Sequence, residues 1–202
     1  MAARQGERRG QILQTLASML ENPRAEKITT AALAAQLDVS EAALYRHFAS
    51  KAQMYEGLIE FIENTLFSLI NKIQSDDEDG KAQTEQIVSM LLGFAEKNPG
   101  MTRVLTGEAL VHEHERLQQR INQLFERIEA AFRQSLRVAQ LADRLPREHD
   151  IGAQAAVLIA YVAGRWQFFV KTGFKRRPQE GWEAQRALLL GWAETWTRTM
   201  AG

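Results

Sequence analysis

The densest run of groups able to hold a polyanion lies near the N-terminus, where SEAALYRHFASK carries Tyr45, Arg46, His47 and Lys51 behind the compact Ser40, Glu41, Ala42 and Ala43. Phenol, guanidinium, imidazole and ammonium all donate hydrogen bonds, and a DNA backbone offers phosphate oxygens to accept them. Phosphate contacts fix register and base-edge contacts fix sequence, so this order suits a helix whose first residues read a groove and whose last residues grip the backbone. Thr30, Tyr45, His47 and Lys51 are expected to position phosphates. Ser40, Glu41, Ala42 and Ala43 are expected nearest the base edges, while Arg46 suits either task.

Catalytic and metal chemistry find less support. The run VHEHE sets His112 and His114 two residues apart, a spacing that points helical side chains in different directions, unlike a metal-binding pair four apart. A solvated charged turn is the expectation there. With no glycine-rich phosphate loop, no GxSxG elbow and no carboxylate pair that spacing recommends, the chain reads as a non-enzyme without a metal or cofactor.

A reading helix needs supports. Thr29 or Thr30 can cap a preceding helix that puts Leu33, Ala34 and Leu37 on one face, and Asp38, Val39 and Ser40 then break the run. Ser40 caps the next helix, which Leu44 and Phe48, four apart, anchor inward. This is a helix-turn-helix. An upstream helix over residues 8–20, with Ile12, Leu13, Leu16, Met19 and Leu20 inward and Pro23 as its stop, completes a three-helix DNA-binding domain assigned to residues 1–51. Arg4, Arg8 and Arg9 suit either a basic arm reaching along phosphates or a frayed terminus.

Residues 52–202 read as a helical regulatory and dimerisation bundle, so the fold class is all-α. A helix over 51–73 carries Met54, Leu58, Phe61, Ile62, Leu66, Leu69, Ile70 and Ile73 at core spacing, and helices follow over 82–97, 101–110 and 113–138. Two more, over 151–170 and 179–199, are apolar enough for a two-fold dimer to build a four-helix bundle from them. Trp166, Phe169, Trp192 and Trp196 are the expected interface, because large aromatics concentrate binding energy.

Bulk properties bound the rest. With 45% hydrophobic residues a chain of 202 buries a core, and Lys plus Arg balances Asp plus Glu at 25 each, so only local charge can argue for nucleic acid. The absence of cysteine excludes disulfides and thiolate metal sites. No apolar run is long enough to cross a bilayer and no signal pattern opens the chain, so a cytoplasmic protein is expected, with no membrane partner.

The pattern TTAALAAQLDVSEAALYRHFASK resembles the DNA-binding domain of the TetR family, dimeric all-helical regulators. LIEFIENTL, LLGFAEKNPGMTRVLTGEAL and RLQQRINQLFERIEAAFRQ resemble, more closely, the nucleoid occlusion branch of that family. The resemblance implies a nucleoid-associated homodimer on palindromic double-stranded DNA that, once bound, inhibits the tubulin-like division protein FtsZ. It further implies a groove between helices 51–73 and 82–97 for the acidic-apolar FtsZ tail, with Phe61, Met90 and Gly93 as its floor and Lys97 and Asn98 at its rim. One position departs from the branch: Leu69 stands where an arginine is usual. The alternative is a repressor released by a small molecule, with Tyr161, Trp166 and Gln167 lining its pocket. In the nucleoid occlusion reading no small-molecule ligand is expected.

Overall fold

A 19-residue helix and two short ones entered through hydroxyl caps come first, and the helices that follow share one core with them. A computed structural model describes residues 2–23 and 27–190. Among them the order is α1 (Ala2–Leu20), α2 (Thr30–Gln36), α3 (Glu41–Tyr45), α4 (Lys51–Asp76), α5 (Gly80–Lys97), α6 (Pro99–Leu105), a 3-10 turn (Glu108–Leu110), α7 (Glu115–Leu141), α8 (Ile151–Lys171) and α9 (Trp182–Leu190).

The capping follows the sequence signals. Thr29 Oγ1 accepts the Ala32 N–H at 3.1 Å, Ser40 Oγ accepts that of Ala43 at 3.3 Å, and Ser50 Oγ accepts that of Gln53 at 3.2 Å. The reversal between α2 and α3 is a Schellman closure: Val39 N–H reaches Ala34 O at 3.0 Å and Asp38 N–H reaches Ala35 O at 3.1 Å, with Asp38 in the left-handed region at φ 53°. That turn sets α3 against α2, and Leu33, Ala34, Leu44 and Phe48 are buried between them and the body.

A contiguous apolar core runs from Ile12 in α1 to Trp182 in α9. The α7 stripe faces inward, with Leu117, Ile121, Leu124, Ile128, Phe132 and Leu136 buried and Phe125 half-buried. Two close approaches fix the helix packing. A Cβ on Gly80 would lie 2.1 Å from Ser135 O, and one on Gly100 would lie 2.0 Å from Ala17 O, so α6 meets α1 backbone to backbone. Beside that contact the buried Arg103 donates to Leu20 O at 3.2 Å and Asn22 O at 2.9 Å and pairs with Glu108. Unpaired, such a guanidinium would carry a large desolvation cost; here its donors bind the end of α1 to α6.

Three expectations are corrected. The N-terminal segment is helical from Ala2, so α1 begins before residue 8 and Arg4, Arg8 and Arg9 lie within it. Phe61 and Leu69, given core spacing, are 50% and 39% exposed, because among the described residues no helix covers that edge of α4. Trp166 and Phe169 are 0% and 3% exposed, and the Trp166 indole donates to Leu91 O at 3.2 Å, so both are core and cannot form a dimer surface. Trp192 and Trp196 lie outside the described residues. What α8 turns outward is apolar and mostly small: Ala153, Ala156, Val157, Ala160 and Phe168 are exposed along one face, and apart from its chain neighbours and own helix backbone no atom of the described residues lies within 4 Å of a Cβ placed on Gly164.

Candidate nucleic-acid interface

Leu44 and Phe48 hold α3 from below, so its opposite side faces solvent: Ser40, Glu41, Ala42, Tyr45 and Arg46 are exposed, and Ala43 and His47 are half-buried. The side chains on this surface are linked. Thr30 Oγ1 donates to Glu41 Oε2 at 2.6 Å, tying the start of α2 to the start of α3, and the Tyr45 hydroxyl lies 3.5 Å from Thr30 Oγ1. At the other end, Arg9 donates to His47 O at 2.6 Å and stacks its guanidinium 4.2 Å from the Phe48 ring centroid. Arg9 therefore clamps the C-terminal end of the reading helix. Among the described residues His47 Nδ1 is buried without a hydrogen-bond partner.

Lys51 differs from expectation. Its ammonium is part-buried, pairs with Glu113 and sits 5.6 Å from the Tyr55 ring centroid, rather than extending into solvent. The charged run before α7 thereby acquires structural tasks: Glu113 binds Lys51, and His114 Nδ1 accepts the Arg116 N–H at 3.2 Å to cap the helix. Burial, then the Glu113 carboxylate, pushes the Tyr55 hydroxyl well above the usual phenol range, so Tyr55 is neutral beneath the pair. Among the described residues no group of His, Asp or Glu has the arrangement of a metal site, and no helix is long and apolar enough to cross a membrane.

A second surface lies on α4 and α5. Met90, Gly93, Lys97 and Asn98 line one cavity of about 510 Å³ together with Leu69 and Ile73. Phe61 lines an adjoining cavity of about 570 Å³ with Leu13, Leu58 and Met101, and the two cavities share Phe94 and Asn98. The five residues expected around a peptide groove thus fall on one continuous face, four in one hollow and Phe61 in the next. Sequence reasoning missed Gln179, which reaches in from the turn before α9 and would meet a Cβ on Gly93 at 3.1 Å. Arg9 was read only as part of a basic arm or frayed terminus and Gln179 not at all, because each acts across a long stretch of chain. The residues expected around a small-molecule pocket are engaged elsewhere: the Tyr161 hydroxyl donates to Gln185 Oε1 at 2.6 Å, Gln167 donates to Thr106 O at 3.1 Å, and Trp166 is core.

Comparison with known proteins agrees in both halves. Residues 25–58 match the family described as bacterial regulatory proteins, tetR family, and residues 79–192 match the SlmA-like family described as tetracyclin repressor-like, C-terminal domain. The chain is similar to the nucleoid occlusion factor SlmA of Alteromonas mediterranea, 50% identical over 186 residues that cover 92% of this chain and 95% of that protein. The SlmA of Aliivibrio fischeri is 51% identical over 187 residues, covering 92% and 95%. Among solved structures, the fatty acid degradation regulator FadR from Bacillus halodurans superposes with a TM-score of 0.76 at 14% identity, over 90% of this chain and 94% of that one. A TetR transcription regulator from Haloarcula marismortui gives 0.76 at 14%, over 94% and 98%. At such identities the structural likeness speaks to the fold alone.

Proposed function

The chain belongs to the TetR family, among its SlmA nucleoid occlusion factors, and from that premise we propose that it binds palindromic chromosomal DNA as a homodimer and in that state keeps FtsZ from assembling over the nucleoid. Residues 1–51 supply the reader and residues 52–202 the body. Ser40, Glu41, Ala42 and Ala43 face base edges, and Tyr45, Arg46 and His47 meet phosphates. Lys51 joins them only after leaving Glu113. Thr30 orients Glu41 instead of holding a phosphate. The outward face of α8, free of charge from Ala153 to Gly164, is where a second copy packs, because close approach of two helices needs small residues and an apolar surface there costs solubility unless covered.

The observation that carries this reading is the double use of α4. Its first residue, Lys51, adjoins the reader, and its exposed Phe61 and Leu69 line the hollows that Met90, Gly93, Lys97 and Asn98 complete. An acidic-apolar tail suits that face: Phe61 and Met90 offer apolar contact, Lys97 stands exposed for a carboxylate, and Gly93 allows close backbone approach once the Gln179 side chain moves aside. A tilt of α4 is felt at both surfaces, which gives DNA a route to the groove. Fluorescence anisotropy with a labelled FtsZ tail peptide tests this. Binding that tightens when a cognate duplex is added, and weakens about tenfold in Phe61→Ala, is the expected result. A peptide that never binds, with DNA released by a small molecule, would favour the repressor reading.

A further inference from the structure

We propose that Glu41 is a specificity-determining residue that accepts a hydrogen bond from the exocyclic amine of a cytosine in each half-site, and that Thr30 is the positioning residue that presents it. The proposal rests on the DNA-binding reading and deepens it. Glu41 is the first residue of the reading helix, immediately after its Ser40 cap, and the first residues of such a helix are those that reach base edges. Its side chain is exposed and acceptor-only when ionised. One carboxylate oxygen, Oε2, is held by the Thr30 hydroxyl at 2.6 Å, and the Tyr45 hydroxyl approaches that same Thr30 oxygen at 3.5 Å. Oε1 has no partner among the described residues, and no Lys or Arg there pairs with Glu41.

A carboxylate brought against DNA is repelled by the phosphates, so its place on a reading helix is favourable only where it meets a donor. Major-groove edges offer two kinds of amine. Adenine N6 lies beside the N7 acceptor, which suits an amide that both donates and accepts; cytosine N4 is the donor that an acceptor-only carboxylate fits. Holding Oε2 freezes the side-chain rotamer before binding, so Oε1 is aimed without the ordering cost a free glutamate would carry. In a two-fold dimer the contact occurs once per half-site, as one C·G pair and its symmetry mate.

Glu41→Gln separates this role from a strut between α2 and α3. The amide oxygen still accepts from Thr30, while its NH2 replaces the free acceptor. Enrichment from random duplexes, followed by competition titrations on duplexes altered at single pairs, is carried out for wild type, Glu41→Gln and Thr30→Val, with circular dichroism as the fold control. Wild type is expected to favour cytosine at one symmetric pair by about tenfold or more. Glu41→Gln is expected to lose or redirect that preference while keeping the rest of the motif. Thr30→Val is expected to shrink the ratio without changing the base chosen. Folded Glu41→Gln enriching the same motif with the same ratio at every pair would overturn the assignment and leave DNA binding intact. A wild type that enriches no palindrome would overturn both.

Discussion

At the residue scale, the proposed DNA-binding role of Lys51, the first residue of α4, turns on its pairing with Glu113. The pair is part-buried, with side chains 20% and 11% exposed, so neither charge is fully solvated and each is held by the other. A phosphate must therefore compete with Glu113 for the ammonium. Glu113→Gln is expected to tighten binding to all duplexes several-fold at low salt and to steepen the salt dependence by up to about one unit, because one more cation reaches the backbone. Titrations at several salt concentrations check this, and an unchanged slope would make Lys51 a structural residue. Donor types and caps in this region were legible, since Ser40, Tyr45 and Arg46 stand where spacing placed them. The engagement of Lys51 was not, because Glu113 lies far along the chain and spacing carries no information about such pairs. Asp38 was readable as a turn residue, but its left-handed φ of 53° belongs to the Schellman closure of α2, which the sequence did not mark with the usual glycine.

At the element scale, α1 and α6 form the joint between reader and body. Gly100 lets α6 approach the Ala17 carbonyl, Arg103 binds the carbonyls at the end of α1, and Arg9, further back on α1, holds the end of α3. A shift of α6 therefore has a rigid path to the reading helix. Gly100→Ala is expected to destabilise the protein by about 1–3 kcal/mol, a fall in Tm of roughly 2–12 °C, because the added methyl meets backbone that cannot rotate away. Thermal unfolding measures it, and a Tm within a degree of wild type would show that the two helices can part at little cost. Periodicity gave α7 and the buried part of α4 correctly, as both carry a narrow apolar stripe. It failed at Phe61 and Leu69, where the apolar arc of α4 is wider than the surface its neighbours cover. It failed again on α8, whose first fourteen residues include no charge. With both faces apolar, size decides: Trp166 and Phe169 fill the core and the alanines and Gly164 face outward.

At the scale of the whole molecule, the reading surface, the α4–α5 hollows and the α8 face occupy different parts of one body whose core is continuous. On the proposed reading three partners are held together: DNA at α3, a second copy at α8 and a peptide beside α5. Coupling between the first and last of these is a free energy that acts in both directions, so DNA that strengthens peptide binding must be bound more tightly when peptide is present. The most direct measurement is sedimentation of FtsZ polymers with the wild-type protein, with and without a duplex enriched by it. The account requires that polymer mass fall when protein and cognate duplex are both present, and that Phe61→Ala restore it. Polymer mass unaffected by the cognate duplex, with DNA binding and dimerisation intact, would contradict it.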